Sequence, residues 1–466
     1  MRRSSTPPPS KISERPTGEL AVRSEGVFVE STALLATWPF FLFGISANQV
    51  FSPLGSIGQP ALILGLIAAF YWFISLSTPW FVADHSQKPG RTALIVYGWF
   101  SLLSYAVAST RSLTDLEAAG STRRLIYTLG LVGLAVVVSD CTRSIDRLTV
   151  LLRRTVWASL IMSTFGIFQF ITGDFSQPLI PGLMWNFDAE AVRTRAVFFR
   201  PLGTTTHPIE LSVVAASLLP LALHFSLYAR KGGQRQISIA SAIGLALCVP
   251  MSVSRSGILS LGVGMTIMFF GWSWRRRLRG ALIGLVSIPA LGLLVPGLIA
   301  SLVDLFAWWD SDPSVQARVD RTPGIMRLYN ERPWLGLGNG TWSVEEYFLI
   351  DNQVYVSLLE TGLVGLTIMI LLFVITFFSG FWVSHAPTAT EESAHLGRAL
   401  SAGIAAIGLS FFTFDAFHYR ILTGVLFLFM GAATALLRLT QLPPYRLGED
   451  LKSVSDSSPS LSGDPN

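Results

Sequence analysis

The sequence is poor in charge and in cysteine. Only 14% of its 466 residues are charged and 51% are hydrophobic, whereas charged residues make up roughly 25% of an average soluble domain. Cys141 lies near a predicted helix end and Cys248 inside a predicted span, so neither a disulfide framework nor a cysteine metal site is expected. The histidines are scattered, without the spacing of metal ligands. We therefore expect neither redox chemistry nor a soluble catalytic domain of ordinary size.

The sequence instead contains a series of apolar segments of about 17 to 25 residues, each long enough for a helix to cross a hydrocarbon core of about 30 Å. They recur from end to end and predict an all-α polytopic membrane protein with about twelve transmembrane helices. The predicted spans are 31–50, 57–80, 93–110, 123–139, 149–171, 207–228, 237–254, 256–272, 280–299, 353–384, 396–414 and 420–438.

Basic residues fall mostly on alternate connections between these spans, which places both the N-terminus and the C-terminus in the cytoplasm. Arg123 and Arg124 are an exception, because they lie on the predicted outer side. We therefore attribute the net charge of +5 to the orientation of the protein in the membrane and not to binding of nucleic acid.

Residues 31–438 are expected to form one transmembrane domain between two disordered cytoplasmic tails, 1–30 and 439–466. Two long connections, about 172–206 and 300–352, fall on the outer side, the second directly before the tenth span. Connections of this length are often functional. The second resembles a lid over an outward-facing cavity.

A single arginine, Arg255, interrupts the apolar run 237–272 within the sequence VPMSVSRSGILSLG. It divides the run into two short spans and predicts a tight turn on the outer side. The small residues around it would expose backbone N–H groups beside the guanidinium, and such an arrangement binds anions. An arginine at a helix end can also reach the lipid headgroups, so a structural role stays open.

Four blocks follow one another in the second half of the chain: FRPLGTTTHPIELSVVAASLLPLAL at 199–223, VSRSGILSL at 253–261, NERPWLGLGNGTW at 330–342 and DNQVYVSLLETGLVGL at 351–366. Together they resemble the O-antigen ligase and O-antigen polymerase family of bacterial membrane glycosyltransferases. The resemblance implies an enzyme, without metal or other cofactor, that acts on the extracytoplasmic side of the cytoplasmic (inner) membrane. Its partners would be a polyprenyl-diphosphate-linked oligosaccharide donor, a glycan or glycolipid acceptor and membrane lipids, with no nucleic acid.

The resemblance assigns diphosphate binding to Arg200 and Arg255. A diphosphate is already a good leaving group, so such an enzyme mainly stabilises its growing charge and orients the acceptor. Arg332 lies in the third block and is a further candidate for contact with the diphosphate or the glycan. Nearby acidic residues offer it ordinary ion pairs as an alternative.

The fourth block departs from the ligase pattern at one position. Asn352, Gly362 and Gly365 keep the family's spacing, but Asp351 occupies the place of a histidine. A carboxylate could orient or deprotonate the acceptor hydroxyl, or it could simply cap the helix that follows. The exchange favours a polymerase, or a ligase with another acceptor, over a ligase that acts on lipid A–core.

Two other residues are candidates for substrate binding. His207 lies at the outer start of a predicted span and could bind phosphate or shuttle a proton, although an interfacial histidine is often structural. Glu360 lies inside a predicted span, where an unpaired carboxylate is costly, so we expect an arginine as its partner.

Two other classes of protein are alternatives to a glycosyltransferase. A transporter or flippase of lipid-linked glycan would show repeated halves and broken helices near the middle of the membrane, and the sequence has no apparent internal repeat. A non-catalytic membrane component of the same pathway would share the family resemblance without the activity.

Overall fold

The computed structural model describes residues 25–77, 88–177, 179–185, 194–195, 198–307 and 313–441. Over these ranges the chain forms fourteen α-helices. They are α1 (Glu25–Gly44), α2 (Pro60–Ser77), α3 (Pro89–Ser109), α4 (Asp115–Cys141), α5 (Ile145–Thr172), α6 (Pro208–Tyr228), α7 (Gly232–Met251), α8 (Arg255–Gly271), α9 (Trp274–Leu294), α10 (Leu298–Ala307), α11 (Pro313–Glu331), α12 (Gln353–Phe381), α13 (Glu391–Ser410) and α14 (Arg420–Gln441).

The predicted all-α class is confirmed. Each predicted span coincides with a helix, and α10 and α11 are additional helices within the long connection before α12. In the part of the chain that the structure describes, seven helices are long and apolar enough to cross a membrane. The count of twelve spans and the orientation of the termini stay predictions.

The helical region extends slightly beyond the predicted transmembrane domain. The helix α1 starts at Glu25, ahead of the predicted start at residue 31, and α14 runs to Gln441, past the predicted end at 438. The remainder of the predicted tails, 1–24 and 442–466, lies outside the described residues.

The strands are short and lie in connections. The strand β1 (Gln49–Val50) pairs antiparallel with β2 (Met184–Trp185), and β3 (Thr194–Arg195) pairs antiparallel with β4 (Phe198–Phe199). Pairs of two residues cannot form a core by themselves, so these strands fix loops rather than build a layer.

The helix α14 forms the centre of the bundle. Every residue from Ile421 to Leu436 is buried, as expected for a helix that is apolar on all sides. It contacts α3, α4, α5, α6, α12 and α13. The helix α9 is the opposite case, because none of its residues is buried and its apolar side chains face outward. We expect lipid to cover that helix.

The longer connections meet at one end of the bundle, which we call the loop end. It is formed by the segments 45–59, 198–207, 332–352 and 411–419. The backbone N–H of Ala47 donates to the carbonyl oxygen of Thr204 at 2.9 Å, which joins the first two segments.

The opposite end carries the basic connections that the sequence places in the cytoplasm. There Arg91 Nε lies 2.7 Å from Asp140 Oδ2, and Arg276 Nη2 lies 2.8 Å from Glu391 Oε1. Basic residues from separate connections therefore share one end of the bundle, as their alternation along the chain predicts.

Arg124, one of the two basic residues that break this alternation, lies at the loop end and contacts other parts of the protein. Its Nη1 donates to the carbonyl oxygen of Phe417 at 2.8 Å, and its guanidinium lies 5.7 Å from the centre of the Phe417 ring. An internal partner explains why the chain has this charge on the predicted outer side.

Candidate functional site

The predicted turn at Arg255 is present: α7 ends at Met251 and α8 starts at Arg255. Within it Val253 has a φ of 47°, a region that β-branched side chains rarely adopt. Val253 is 1% exposed and packs against Leu298 and Leu305 of α10. Such strain persists only where the surrounding structure fixes it, and it clusters at functional sites.

Arg200 contacts this turn directly. The side chain is 4% exposed, and its Nε donates to the carbonyl oxygen of Ser252 at 2.8 Å. Ser252 is three positions before Arg255 in the chain. The structure therefore brings the arginine of the first block against the turn that carries the arginine of the second.

The segment that follows Arg200 folds around a buried glutamine. Gln169 of α5 accepts hydrogen bonds on Oε1 from the backbone N–H groups of Leu202 and Gly203, both at 2.8 Å. Its Nε2 donates to the carbonyl oxygen of Gly203 at 3.1 Å. Gly203 has a φ of 60°, and an added Cβ would lie 2.7 Å from the carbonyl oxygen of Met162. Only glycine fits this turn without displacing α5.

His207 caps the start of α6. Its Nδ1 accepts a hydrogen bond of 3.1 Å from the backbone N–H of Ile209, so in the neutral ring the proton is on Nε2. Burial lowers the pKa of His207 to about 4, and the charges of Arg200 and His418 add to this effect. The imidazole is therefore neutral near pH 7 and offers an N–H donor from Nε2.

Glu210 ties the first block to the start of α14. The side chain is fully buried, and Oε2 accepts hydrogen bonds from the backbone N–H and the hydroxyl of Thr206, both at 2.9 Å. Oε1 accepts from the backbone N–H groups of Ile421 at 2.9 Å and of Leu422 at 3.3 Å. A carboxylate at a helix N-terminus satisfies donors that have no partner inside the helix.

Asn352, rather than Asp351, provides the side-chain cap of α12. Its Oδ1 accepts from the backbone N–H groups of Val354 at 2.9 Å and of Tyr355 at 3.3 Å. Asp351 precedes the cap and is partly exposed at the loop end. The carboxylate of Asp351 is thus not required for capping, which was the structural explanation that the sequence left open.

The glycine pair of the fourth block has a structural explanation. The helix α12 is broken at Gly362, which has a φ of 65° and where an added Cβ would lie 2.3 Å from the carbonyl carbon of Trp334. The backbone N–H of Leu363 donates to the carbonyl oxygen of Pro333 at 2.8 Å, and that of Leu337 donates to Leu359 at 2.9 Å. The segment 333–338 therefore fits into the break, which joins the third block to the fourth.

Glu360 faces the turn that follows this segment. It is 3% exposed, and its Oε1 accepts from the backbone N–H of Trp342 at 3.0 Å. Arg124 packs beside Gly340 of the same turn and is the arginine that acts on Glu360. Arg332 is exposed directly after α11, and its backbone N–H donates to Tyr329.

The connection between α13 and α14 joins the first block to the fourth, and sequence reasoning missed it. Asn352 Nδ2 donates to the carbonyl oxygen of Phe412 at 3.2 Å, and the backbone N–H of Phe417 donates to Gln353 Oε1 at 2.7 Å. On the other side, the ring of Tyr419 lies 5.8 Å from that of His207. The concentration of polar residues in the short stretch DAFHYR was the available signal.

The phenol of Tyr419 lies where the charges of the site meet. Burial raises its pKa well above the usual range; the carboxylates of Glu210, Asp415 and Asp351 add to the shift, and Arg200 opposes it. The phenol therefore stays protonated at physiological pH. The ring contact of Tyr419 with His207 and the bond from Asn352 to Phe412 connect the first and the fourth block through this connection.

These features define a helical membrane protein with an arginine-containing site at one end of its bundle. Residues 240–370 match the O-antigen ligase family, a range that includes Arg255, Arg332, Asp351 and Glu360 and ends after Gly365. The match confirms the resemblance to the O-antigen ligase and polymerase family. The first block, with Arg200 and His207, precedes the matched range. No curated protein matches the chain.

The seven apolar helices and this family match together support a multi-pass protein of the bacterial inner membrane. They also support a glycosyltransferase-like enzyme in polysaccharide biosynthesis, with lipid-linked glycan as the class of substrate. Among the residues that the structure describes, no three His, Cys, Asp or Glu side chains are grouped as metal ligands would be.

Proposed function

We propose that the protein transfers or polymerises a glycan from undecaprenyl diphosphate, on the outer side of the cytoplasmic membrane, for a surface polysaccharide. The hydrogen bond from Arg200 to Ser252 carries this proposal, because it holds one guanidinium against the turn that presents Arg255. Guanidinium groups bind phosphate oxygens bidentately and stay charged at any physiological pH. Two guanidinium groups can therefore bind the two phosphates of a diphosphate.

The proposed reaction exchanges one C–O bond for another. The acceptor oxygen attacks the anomeric carbon of the donor sugar while the bond from that carbon to the diphosphate oxygen breaks. Arg200 and Arg255 stabilise the negative charge that grows on the leaving diphosphate. Asp351 orients the acceptor hydroxyl and takes its proton. Since the arginines supply the charge stabilisation, we expect the reaction to proceed without a metal ion.

Three other residues support this arrangement in the proposal. His207 donates from Nε2 to an oxygen of the donor, which fits its neutral state and its cap at Nδ1. Arg332 contacts the glycan from the exposed turn after α11. Glu360 shapes the site indirectly, because it holds the turn at Trp342.

The acidic residue at position 351 favours polymerisation, or ligation to an acceptor other than lipid A–core. Because Asn352 caps α12, the carboxylate of Asp351 is not needed as a cap and is available for the acceptor. We therefore place the acceptor glycan at the Asp351 side of the loop end and the donor diphosphate at the Arg200 side.

An assay with purified protein in lipid nanodiscs tests this proposal. The donor is the lipid-linked glycan extracted from membranes of the source organism, and growth or transfer of the glycan is followed by gel and mass spectrometry. We expect Arg255→Ala to reduce the rate about 100-fold, as is usual when one charge-stabilising donor is removed. Arg123→Ala is the control, since Arg123 is an exposed arginine at the loop end. Full activity of Arg255→Ala would refute the mechanism.

One observation bears on the flippase alternative: α12 is a broken helix, as a transporter would require. The break at Gly362 is occupied by the chain's own segment 333–338, which speaks against its use as a transporter-type binding site. The same nanodisc preparation separates the alternatives: movement of glycan across the bilayer without transfer indicates a flippase, and neither event indicates a non-catalytic component.

A further inference from the structure

Main-chain hydrogen bonds hold the connection between α13 and α14 in place. The side chains of two of its residues, Asp415 and Tyr419, take no part in these bonds. The backbone carbonyl oxygen of Tyr419 accepts from the hydroxyl of Thr423 at 2.9 Å, and the backbone N–H of Gln353 donates to Phe414 at 3.1 Å. These bonds hold the connection through its main chain. The phenol of Tyr419 and the carboxylate of Asp415 therefore require another explanation.

Both side chains have polar atoms that the protein leaves available. Asp415 Oδ1 is buried and has no hydrogen-bond partner among the described residues. The hydroxyl of the half-buried Tyr419 likewise has no hydrogen-bond partner among the residues that the structure describes. Buried polar atoms are nearly always bonded, so an orphaned carboxylate oxygen points to a ligand or an ordered water.

The charge around these two side chains suits a neutral, hydroxyl-rich ligand. The connection packs against the start of α12 through the bonds of Asn352 to Phe412 and of Phe417 to Gln353, so it brings the carboxylates of Asp415 and Asp351 to the same side of the loop end. Acidic groups repel a diphosphate but accept hydrogen bonds from sugar hydroxyls. Arg200, which acts on the phenol of Tyr419, is the basic side. The phenol lies on the boundary between the two.

We propose that Tyr419 and Asp415 form the subsite for the acceptor sugar, with Asp415 accepting from one sugar hydroxyl and the Tyr419 phenol donating to a neighbouring sugar oxygen. This inference rests on the proposed function and adds the binding residues for the second substrate. The ring of Tyr419, which lies 5.2 Å from that of Phe414 and 5.8 Å from that of His207, holds the phenol in place. The subsite adjoins Asp351, which takes the proton of the attacking hydroxyl.

The test compares Tyr419→Phe with wild type in the nanodisc assay, with donor and acceptor varied separately. The variant keeps the ring contacts and loses only the hydroxyl, so it should fold with an unchanged unfolding temperature. We expect the KM for the acceptor to rise about two- to tenfold, the usual effect of one lost hydrogen bond, while the KM for the donor stays constant. Tyr105→Phe is the matched control, since the exposed hydroxyl of Tyr105 lies 3.4 Å from Thr122 Oγ1, outside the proposed subsite.

A rise in the donor KM with an unchanged acceptor KM would overturn the subsite and move Tyr419 to the diphosphate side. If wild type transfers no glycan, the proposed function fails, but the subsite remains testable. The oligosaccharide released by mild acid from the organism's own lipid-linked glycan is then the probe, with saturation-transfer NMR as the readout. Binding that is weakened in Tyr419→Phe and in Asp415→Asn supports the subsite; equal binding to all three proteins, or none to wild type, refutes it.

Discussion

Arg200 donates from Nε to the carbonyl oxygen of Ser252 at 2.8 Å, three positions before Arg255. The bond uses one edge of the guanidinium to fix the turn between α7 and α8. Val253, strained at a φ of 47°, follows Ser252 directly, so the hydrogen bond and the packing of α10 act on the same few backbone atoms. Arg200 thus has a geometric role in addition to its charge.

Replacement of Arg200 by lysine tests this geometric role. Lysine keeps the charge but loses the Nε donor and the planar fork, so the Ser252 carbonyl loses its partner. We expect Arg200→Lys to reduce glycan transfer about 100-fold, close to the effect of Arg200→Ala. The rate in the nanodisc assay is the measurement, and Arg123→Lys is the control. Activity within twofold of wild type would show that charge alone suffices at position 200.

A pH series on His207 tests the cap and the tautomer. The folded pKa is about 4 and the usual value is 6.5, so between these values the unfolded chain binds the additional proton. The contribution of His207 therefore makes the protein less stable as the pH falls from 6.5 to 4. His207→Asn keeps a good helix cap and removes this titration. Its unfolding temperature should fall less than that of wild type over this range.

The same variant separates capping from catalysis. We expect His207→Asn to retain the stability of wild type at pH 7 and to lose the Nε2 donor, with a transfer rate about tenfold lower. His207→Ala should lose both the cap and the donor. Identical transfer rates for His207→Asn and wild type would restrict His207 to a structural role.

Glu210 provides a stability prediction. Glu210→Gln places an amide N–H₂ against backbone donors of Thr206 or Ile421, so at least one buried donor loses its acceptor. We expect a loss of roughly 2 kcal/mol in the free energy of unfolding, the usual cost of an unsatisfied buried group. Thermal unfolding in detergent is the measurement, with the exposed Glu345→Gln as the control. An unchanged unfolding temperature would contradict the four-bond assignment.

The break in α12 makes a prediction at Gly362. A methyl group there would lie 2.3 Å from backbone atoms of Trp334, and the φ of 65° is unfavourable for alanine. We expect Gly362→Ala to lower the free energy of unfolding by roughly 3 kcal/mol. Gly262→Ala is the matched control, because Gly262 lies within α8 with open space around it. There alanine should be neutral or stabilise by up to about 1 kcal/mol through helix propensity.

The turn at Arg255 was predictable because one charge in a long apolar run has few physical explanations. The helical class followed in the same way from the length of the apolar segments, and the structure confirms both. The role of the stretch DAFHYR was not predictable, since it depends on contacts between distant positions. Glu210 and Ile421, for example, are 211 positions apart. Hydropathy and local spacing contain no information on such a contact.

Neighbouring polar residues were a second limit on what could be predicted from the sequence. Asp351 and Asn352 are both good caps by residue type, and only the backbone path at the start of α12 decides that Asn352 fills this role. In the same way, the family spacing of Gly362 was visible in the sequence, whereas its reason, the close approach of Trp334, required the fold.

The break at Gly362 also divides the length of α12. A straight α12 of 29 residues would be about 43 Å long at 1.5 Å per residue, well beyond a hydrocarbon core of about 30 Å. The break separates the first nine residues of α12 from the rest of the helix, and the segment 333–338 fits into the break beside them. The nineteen residues after Gly362 would be about 28 Å long at 1.5 Å per residue, which by itself matches a hydrocarbon core of about 30 Å.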